Sequence, residues 1–515
     1  MFEKYLDNRL VILYIVPFAL GLLSTLSFAP FNLFIINFIN LPLFFYLLVY
    51  INKKSKSFYR KKPYKKNLFI FGSIFGFGFY LSGISWITNS LTFDENFKFL
   101  IPFALIFIPL FLSFFMGFTA LIIGPYLKLN FSSLILFSAS LAFSDYLRAK
   151  VLTGFPWNLW AYSTHSLNEI LQILNLVGLY SYNLLVITLF TFPIIFFFKI
   201  TKIKKVISLI LIFSIILSLY IFGNFEINKN KKFLENSNEK VYVKIISPNF
   251  DLEYGLNLQE IEKRFKKLIR YSNPDKEKKT LFIWPEGVFS GYSYAEILIF
   301  KELISNNFSK KHHIIFGTNK LDSSSGNFFN SMLVINDKFD VIQSYNKRKL
   351  VPFGEFLPFE KILNNFGLKK ITEGHGSFLK GQKDKNLIID ELSILPLICY
   401  EIIFTDLIQK SEGNTNLVVN ISEDGWFGKS IGPDQHFVKS IFRAVENNTF
   451  LLRSTNQGVS AIIDNKGNIV KRINRNEAGN IEFDVPLIDS NKIKNDLIFF
   501  VLLITYLLLF LIYKK

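Results

Sequence analysis

A chain of 515 residues that is 50% hydrophobic and 17% aromatic, with 60 phenylalanines, is poorly suited to a soluble protein, so its composition favours the membrane class. The formal net charge of +18 resembles that of nucleic-acid-binding proteins. Most of the clustered Lys and Arg residues, however, lie between apolar segments, where they set membrane topology. The single cysteine, Cys399, excludes a disulfide within the chain and a zinc site of the Cys/His type. We therefore expect no nucleic-acid partner, no metal and no other cofactor.

Eight apolar stretches are long enough to cross a bilayer, which requires about 20 residues of helix. They are Leu10–Phe28, Leu33–Ile51, Leu68–Ile87, Phe99–Ile123, Phe131–Leu147, Ile170–Phe198, Val206–Phe222 and Leu497–Tyr513. The first cannot be a simple cleaved signal peptide, because further spans follow at once. The prediction is a seven-helix membrane domain over residues 1–222, a second domain over residues 223–495, and a C-terminal transmembrane helix over residues 496–515.

Charge between the spans predicts their orientation. Residues 52–67 carry eight Lys or Arg and no acidic residue, residues 199–205 carry four Lys, and the chain ends with two more. Residues 88–98 carry two acidic residues against one Lys. Because basic loops stay on the cytoplasmic side, both termini are predicted to be cytoplasmic. The domain over residues 223–495 is then predicted to lie on the outer side.

One loop on the predicted outer side is unusually aromatic. Residues 147–165 contain the sequence Thr153-Gly-Phe-Pro-Trp157-Asn-Leu-Trp160-Ala-Tyr162. Trp and Tyr commonly collect at membrane interfaces, so this loop is either part of an interfacial belt or a surface that contacts a lipid. In the second interpretation Trp157 is a candidate lipid contact. Asp145 and Arg148, at the end of the preceding span, form either a local ion pair or part of that surface.

Residues 223–495 are predicted to form an α/β layered sandwich. Helical patterns at Asn257–Tyr271 and Ser293–Asn306 alternate with strand-like runs, and Asp464–Asn468 has the composition of a hairpin turn. The strand-like runs are Val241–Ser247, Thr280–Trp284, Ile314–Thr318, Ser331–Asn336, Leu395–Cys399, Leu417–Ile421 and Val459–Asp464.

Cys399 lies where an apolar run changes to helix-like spacing, which predicts a strand, a sharp turn and a helix with the thiol at the turn. A thiol near a helix N-terminus can have a lowered pKa. A lone cysteine is nevertheless more often a buried structural residue than a nucleophile. This stretch alone leaves both roles open.

Two further segments concentrate polar side chains. Glu286 follows a predicted strand between Trp and Pro neighbours, where it is poorly hydrated and suited to act as a base. Lys347 and Glu355 lie in a loop that two prolines and a glycine shape. Taken singly, a glutamate such as Glu286 is more often a surface residue of a loop than a base. A lysine such as Lys347 belongs to a solvated basic turn about as often as it is catalytic. With Cys399 they supply a thiol, a base and a cation, which are the groups that acyl transfer through a thioester requires.

A Cys–His pair is the main alternative for activating the thiol. Four histidines lie in the same domain, so composition does not exclude such a pair. They are His312, His313, His375 and His436.

Ordered motifs give these residues a specific resemblance. Trp284-Pro-Glu286, Lys347-x-x-Leu-Val-Pro-Phe-Gly-Glu355 and Cys399-Tyr-Glu401 resemble the Glu-Lys-Cys triad segments of the nitrilase superfamily, in the version found in apolipoprotein N-acyltransferases. The resemblance covers essentially the whole chain. Further matching segments are Asn420-Ile-Ser-Glu-Asp-Gly-Trp426-Phe427-Gly, Gly432-Pro-Asp-Gln-His436, Arg443-Ala-Val-Glu446, Arg453-Ser-Thr-Asn456-Gln-Gly458, Phe28-Ala-Pro-Phe31, Gly83-Ile-Ser-Trp86 and Gly154-Phe-Pro-Trp157.

The resemblance implies a membrane-anchored αββα nitrilase-like domain and a reaction in two steps. Cys399 would take an acyl chain from a glycerophospholipid, typically phosphatidylethanolamine, and release a lysophospholipid. The thioester would then acylate the α-amino group of the diacylglyceryl-cysteine at the N-terminus of an apolipoprotein. In this reaction Glu286 would be the base, Lys347 would stabilise the oxyanion, and Glu355 would support Lys347.

The resemblance also implies roles for neighbouring residues and a location. Tyr400 and Glu401 would shape the pocket and hold the triad, while Trp426 and Phe427 are candidate lipid or substrate contacts. The protein would be a monomer in a bacterial inner membrane, with the catalytic domain in the periplasm. Two alternatives stay open: a membrane-bound carbon–nitrogen hydrolase that cleaves an amide or nitrile, and a catalytically silent lipid-binding or transport protein. Both implied substrates are lipid-anchored, which explains eight spans better than a soluble amide does.

Overall fold

The computed structural model describes residues 8–58, 63–253, 255–358, 360, 377–382, 385–409, 414–490 and 495–513. The chain divides into two compact units. The helical unit comprises Met1–Glu226 and Lys494–Lys515, and the sheet unit comprises Ile227–Ile493. Of the residues that the sequence singles out as candidates, His375 lies outside the described residues.

Apolar helices make up the helical unit. A π-helical turn at Val11–Ile15 leads into the first of them. The helices are α1 (Val16–Ser24), α2 (Asn37–Phe58), α3 (Pro63–Ile84), α4 (Ile101–Ile123), α5 (Phe131–Lys150), α6 (Asn168–Leu171), α7 (Leu174–Val177), α8 (Leu179–Thr191) and α9 (Lys202–Glu235).

Several of these helices are long and apolar enough to cross a membrane. Within the described ranges there are five such segments, namely Phe34–Lys54, Lys65–Thr92, Glu95–Tyr126, Leu179–Phe197 and Lys202–Glu235. Two shorter apolar helices, Val11–Ser27 and Asp496–Ile512, lie at the ends of the chain. The predicted span at Phe131–Leu147 lies within α5, which is not among these segments.

One predicted span is too long. The stretch Ile170–Phe198 does not form one helix, because α7 ends before Gly178 and α8 begins after it. Gly178 has φ +79°, a left-handed conformation that glycine adopts without steric cost and that interrupts a right-handed helix. The long apolar helix in this region therefore begins at Leu179.

A buried ion pair fixes the aromatic loop of the helical unit. Arg148 Nη2 lies 2.9 Å from Asp145 Oδ1, and Asn183 Nδ2 donates to Asp145 Oδ2 at 2.9 Å. Arg148 also donates to the backbone oxygen of Phe155. The ion-pair interpretation of Asp145 and Arg148 is thus confirmed. Trp157 is only 1% exposed in the same loop, and its ring centroid lies 5.9 Å from that of Phe155.

The sheet unit alternates strands with helices. Its helices are α10 (Leu258–Ser272), α11 (Tyr294–Ile297), α12 (Lys301–Asn307), α13 (Asp406–Gln409) and α14 (Gly432–Asn447), and α15 (Asn495–Ile512) follows in the helical unit. Its strands are β1 (Lys240–Ser247), β2 (Thr280–Ile283), β3 (His312–Leu321), β4 (Phe328–Ile335), β5 (Val341–Asn346), β6 (Leu387–Ile389), β7 (Leu392–Ile398), β8 (Leu417–Glu423), β9 (Phe450–Asn456), β10 (Ser460–Ile463), β11 (Ile469–Ile473) and β12 (Gly479–Pro486).

These strands form two sheets of six among the residues that the structure describes. The first has the order β12-β1-β2-β3-β4-β5, and the second has the order β11-β10-β9-β8-β7-β6. Strands β1, β2 and β3 are mutually parallel, as are β7, β8 and β9. The remaining neighbours pair antiparallel, so β5 runs in the same direction as β3.

The two sheets share one apolar core, and helices cover them. Buried side chains from both sheets form this core, among them Val243, Ile245, Ile283, Ile315, Val334, Ile394, Val419, Ile421, Leu452 and Ile462. On the first sheet, Phe265 of α10 packs against Trp284 and Phe289. On the second sheet, α14 packs against β9. The layers therefore follow the order helix, sheet, sheet, helix that the resemblance implied.

The secondary structure of the sheet unit departs from the sequence prediction in two ways. The predicted helix at Ser293–Asn306 is broken into α11, a 3₁₀ turn at Leu298–Phe300, and α12. Five strands were not predicted, namely β5, β6, β9, β11 and β12. The helix predicted at Asn257–Tyr271 is confirmed as α10. The hairpin turn is confirmed as well, because Asp464 N donates to Asn468 O between β10 and β11.

Candidate active site

Glu286, Lys347 and Cys399 each lie just past the carboxyl end of a strand. Glu286 follows β2, Lys347 directly follows β5, and Cys399 directly follows β7. Strands β2 and β5 run in the same direction, so their carboxyl ends lie at the same edge of the first sheet. Cys399 interacts electrostatically with both Lys347 and Glu286. The structure therefore brings the three predicted triad residues together.

Lys347 joins two carboxylates in a closed ring of four side chains. Lys347 Nζ lies 2.8 Å from Glu355 Oε1 and 3.4 Å from Glu286 Oε1. Asn330 Nδ2 donates to the same two oxygens, at 2.7 Å to Glu355 Oε1 and 2.8 Å to Glu286 Oε1. Burial opposes the charge on Lys347, but Glu286 and Glu355 raise its pKa well above the usual value. The two carboxylates therefore favour the charged form of Lys347.

The second oxygen of Glu286 faces the other sheet. Glu286 Oε2 accepts from the backbone N–H of Glu423 at 3.1 Å. The Glu423 side chain accepts from Gly425 N and Asn456 Nδ2, both at 2.8 Å. Burial raises the pKa of Glu423 to about 8, so it is mostly protonated at neutral pH. Gly317 on β3 makes room for the base, since a Cβ there would lie 2.9 Å from the Glu286 Cα atom.

Cys399 begins a short 3₁₀ turn rather than an α-helix. The turn spans Cys399–Ile403, and Cys399 has φ +49°. Burial and the nearby Glu286 raise the pKa of the thiol above its usual value, although Lys347 acts in the opposite direction. The expectation that a helix N-terminus lowers this pKa is therefore wrong for the free site. A thiol of this kind requires a base to remove its proton.

Glu401 fastens the turn that carries Cys399 to the loop that carries Lys347. The Tyr345 hydroxyl lies 2.9 Å from both Glu401 oxygens. Backbone N–H groups of Arg348 and Lys349 donate to Oε1 at 2.7 and 3.0 Å, and Ile398 N donates to Oε2 at 2.9 Å. Burial raises the pKa of Glu401, and these donors act against that rise. Its position agrees with the predicted role of holding the triad.

The other predicted site residues lie in three different parts of the chain. The ring of Tyr400 is half-buried and meets Phe404 edge to face at 5.0 Å, and burial raises the pKa of its hydroxyl. Trp426 and Phe427 lie in a 3₁₀ turn just after β8. Trp426 is half-buried, whereas Phe427 is buried with its ring 5.3 Å from His436. Trp157 belongs to the helical unit.

His436 belongs to a buried polar cluster next to the site. Its Nδ1 atom lies 3.0 Å from Asp424 Oδ1, and Arg453 Nη2 lies 2.8 Å from Asp424 Oδ2. Burial opposes ionisation of Asp424, but Arg453 and His436 hold its pKa below the usual range. Burial lowers the pKa of His436 to about 4, so the ring is neutral at pH 7. The Ser422 hydroxyl also donates to Asp424, at 2.7 Å.

The other described histidines of the sheet unit lie on β3 and have other contacts. The ring of His312 contacts the backbone oxygen of Asp275 at 2.8 Å, and His313 is its neighbour on the strand. The charged groups that act most strongly on Cys399 are carboxylates and Lys347. This geometry favours the Glu–Lys–Cys arrangement over a Cys–His pair.

The described part of the chain contains no group of three or more His, Cys, Asp and Glu side chains that could hold a metal ion. The side chains brought together at the site supply a thiol, carboxylates and one lysine. These groups suit proton transfer, nucleophilic attack and stabilisation of an oxyanion.

Two site residues escaped the sequence analysis. Asn330 lies just before a predicted strand, and nothing near it in the sequence connects it to Glu286. Glu423 lies inside a segment that matches the family, but its contact with Glu286 runs through its backbone. Almost any residue type can supply a backbone N–H, so the sequence does not reveal such a contact. Asn330 reaches Glu286 from another strand of the first sheet, and Glu423 reaches it from the second sheet.

Comparison with known proteins identifies the family. Residues 20–192 match the model of the apolipoprotein N-acyltransferase N-terminal domain, and residues 253–494 match the carbon–nitrogen hydrolase model. An apolipoprotein N-acyltransferase from Rickettsia typhi is 30% identical over 480 residues, which cover 92% of each chain. The chain belongs to the apolipoprotein N-acyltransferase family. A member from Bradyrhizobium diazoefficiens is also 30% identical, over 488 residues covering 92% of this chain and 89% of its own.

Other apolipoprotein N-acyltransferases and one solved structure are more distant. The family member from Brucella melitensis is 28% identical over 486 residues, which cover 91% of this chain and 89% of its own. The crystal structure of a CN-hydrolase superfamily protein from Xanthomonas campestris is 16% identical. It covers 48% of this chain and 91% of its own, with a TM-score of 0.34. As a member of the apolipoprotein N-acyltransferase family with apolar helices, the chain is a bacterial membrane protein.

Proposed function

We propose that the chain acylates the N-terminal α-amino group of diacylglyceryl-cysteine lipoproteins, using a glycerophospholipid as the acyl donor and a thioester on Cys399 as the intermediate. One observation carries this proposal: Glu286, Lys347 and Cys399 lie together in a member of the apolipoprotein N-acyltransferase family. A thiol, a base and a fixed cation are the groups that such a transfer requires.

In the first step, Glu286 removes the proton from Cys399 Sγ, and the sulfur attacks the ester carbonyl carbon of the phospholipid. The carbonyl oxygen becomes an oxyanion. Lys347 stabilises it with the one ammonium hydrogen that Glu286 and Glu355 leave available, since the group has three donors. The ester C–O bond then breaks, and Glu286 gives its proton to the departing oxygen of the lysophospholipid.

In the second step, the neutral α-amino group of the lipoprotein attacks the thioester carbonyl. Lys347 stabilises the second oxyanion in the same way, and Glu286 takes a proton from the attacking nitrogen. The C–S bond breaks as the amide forms, and the proton returns to the Cys399 thiolate. Glu355 keeps Lys347 charged and in place throughout, at 2.8 Å from its ammonium nitrogen. Glu401 and Tyr400 hold and shape the site.

Several finer features belong to the same proposal. The membrane domain covers residues 1–222 with seven spans, the catalytic domain covers residues 223–495, and a final span covers residues 496–515. The protein is a monomer in the bacterial inner membrane, with both termini in the cytoplasm and the catalytic domain in the periplasm. Phosphatidylethanolamine is the donor. Trp157, Trp426 and Phe427 contact lipid or substrate.

Mass spectrometry of the intact protein tests the thioester. The full-length protein is incubated with phosphatidylethanolamine in mixed micelles, and we expect one acyl chain to be added that hydroxylamine removes. Because Cys399 is the only cysteine, a thioester can form only there. The matched control is Cys399→Ala, which should stay unmodified.

A wild-type protein that stays unmodified, like the control, would rule out the thioester mechanism. Product analysis with a diacylglyceryl peptide as acceptor then separates the enzyme classes. An N-acylated peptide supports the proposal, whereas release of ammonia or an amine from an amide substrate would identify a carbon–nitrogen hydrolase.

A further inference from the structure

The hydrogen bonds around Glu286 leave one acceptor position free. Oε1 accepts from Asn330 Nδ2 at 2.8 Å and contacts Lys347 Nζ at 3.4 Å. Oε2 accepts from the backbone N–H of Glu423 at 3.1 Å. A carboxylate oxygen has two lone-pair positions, so Oε1 is fully used and Oε2 has one position left. That position is the one available to a thiol proton.

We infer that Asn330 is a positioning residue for the proposed reaction: its amide bridges Glu286 and Glu355, keeps Oε1 occupied, and thereby makes Oε2 of Glu286 the atom that receives the Cys399 proton. This inference rests on the proposed function. It assigns a role to a residue that lies in neither the triad nor its sequence motifs.

Only an amide-bearing side chain fits the position of Asn330. Both hydrogens on Nδ2 are used, one for each carboxylate, at 2.8 and 2.7 Å. A Ser or Thr hydroxyl has a single hydrogen and an Asp carboxylate has none. Asn330 is 8% exposed, so water has little access to replace a missing donor. Two carboxylates held beside each other without such a donor would compete for a proton.

The backbone of Asn330 places the amide correctly. Its carbonyl oxygen accepts from the backbone N–H of Lys347 at 2.8 Å, which ties the two residues of the ring to each other. Lys347 bridges the same two carboxylate oxygens from its own side chain. The ring therefore has two bridges, one charged and one neutral. The neutral bridge leaves the net charge of the cluster unchanged.

Four ionisable groups surround Glu286. These are Lys347, Glu355, Glu423 and Cys399. Burial raises the pKa of Glu423 to about 8, so it is mostly neutral while the reaction runs near pH 7. Removing a donor from a carboxylate favours its protonated form. A change at Asn330 should therefore alter the pH dependence of Cys399 reactivity.

Alkylation of the only cysteine tests this inference without a lipid substrate. The rate of Cys399 modification by iodoacetamide is measured by intact mass between about pH 5 and pH 9. For Asn330→Asp we expect the rate at neutral pH to fall about 10- to 100-fold, because a donor to two carboxylates becomes an added negative charge. The ascending limb should move to higher pH by about one unit or more. Asn330→Ala should also move the ascending limb to higher pH, but by a smaller amount than Asn330→Asp.

Ser331→Ala is the matched control. Ser331 is the next residue on β4, is fully buried, and donates to Asn346 Oδ1 at 2.8 Å rather than to a carboxylate. We expect its pH profile to match that of the wild type. If Asn330 had a purely structural role, Asn330→Asp and Asn330→Ala would lower the unfolding temperature. The ascending limb of the pH profile of Cys399 alkylation would then stay where it is in the wild type.

The outcomes separate this inference from the proposed function. If both Asn330 variants keep the wild-type rate within about twofold and the wild-type limb, Asn330 does not position the base. A shift in Ser331→Ala equal to that in Asn330→Ala would overturn the inference as well. If the Asn330 profiles shift as expected but the wild type forms no acyl adduct with phospholipid, the inference stands and the proposed function fails.

Discussion

At the scale of single residues, Lys347 is a buried cation held between two carboxylates. Its ammonium group is 1% exposed and contacts Glu286 and Glu355, whose charges keep it protonated despite burial. A buried cation that is already paired does not need to reorganise when negative charge develops nearby. Lys347 is therefore suited to bind an oxyanion rather than to exchange protons.

We expect Lys347→Ala to reduce acyl-adduct formation by at least about 100-fold, which is the usual cost of losing an oxyanion donor. The domain should stay folded, because Asn330 still donates to both carboxylates when the cation is absent. Intact-mass kinetics and thermal unfolding measure the two effects.

Lys349→Ala is the control for this substitution, since Lys349 lies two residues away and pairs with Asp406 at 3.3 Å outside the ring. It should keep the wild-type rate. Normal turnover in Lys347→Ala would remove Lys347 from the catalytic groups.

How far the sequence predicts the site depends on the kind of contact that each residue makes. Glu286, Lys347 and Cys399 lie in distinctive motifs, and the structure places them together. Asn330 contributes through an amide on a strand with no motif of its own, and Glu423 contributes through its backbone. Such contacts depend on which strands meet, and a single sequence does not contain that information. The expected fall in the thiol pKa is wrong because burial and Glu286 raise that pKa, and neither effect can be read from the stretch around Cys399.

At the scale of secondary structure, the site depends on how two chain segments are joined. The loop after β5 carries Lys347, and the turn after β7 carries Cys399. Glu401 accepts hydrogen bonds from both, through Arg348 and Lys349 on one side and Ile398 on the other. One buried carboxylate thus sets the spacing between the cation and the nucleophile.

Glu401→Gln should weaken the connection between the loop after β5 and the turn after β7. The new amide presents N–H groups to backbone N–H donors. We expect a loss of about 2–3 kcal/mol in the unfolding free energy of the sheet unit, and slower adduct formation. Chemical denaturation and intact-mass kinetics measure the two effects.

The control, Glu391→Gln, changes an exposed carboxylate just before β7 and should be neutral. If Glu401→Gln were as stable and as active as this control, the connection would have no measurable role.

The strands that were missed show the limit of period-based prediction. β9 is central to the second sheet and fully buried, yet its sequence Phe-Leu-Leu-Arg-Ser-Thr-Asn lacks the apolar run typical of a buried strand. Its polar residues are buried because they have partners inside the unit: Arg453 pairs with Asp424, and Asn456 donates to Glu423. Buried polar residues interrupt the apolar pattern by which a buried strand is predicted from sequence.

At the scale of the whole molecule, a catalytic domain with apolar helices before and after it suits substrates that are themselves held in a bilayer. The chain matches its relatives over about nine-tenths of its length, helices included. In the proposed topology, the basic stretches between spans lie in the cytoplasm. In this topology, the loop that contains Asn96 faces the periplasm and the segment that contains Lys202 faces the cytoplasm.

Single-cysteine variants in a Cys399→Ala background test the orientation, since no other cysteine remains. Asn96→Cys, in an exposed acidic loop, should react with a membrane-impermeant maleimide in intact spheroplasts. Lys202→Cys, exposed at the start of α9, should react only after the membrane is permeabilised. The reverse pattern would invert the topology and place the catalytic domain in the cytoplasm.

The closed ring of Glu286, Lys347, Glu355 and Asn330 has a consequence for where water is needed. In the proposed reaction, ester cleavage moves one proton from the sulfur to the departing lysophospholipid. That half of the reaction exchanges no proton with solvent and can run beneath a cover of lipid. The incoming lipoprotein begins as an ammonium ion at neutral pH, since such groups have a pKa of about 8. It must lose a proton to water before it attacks. In a weakly buffered solution, acylation of Cys399 should therefore leave the pH unchanged. Transfer of the acyl chain to the lipoprotein should lower the pH.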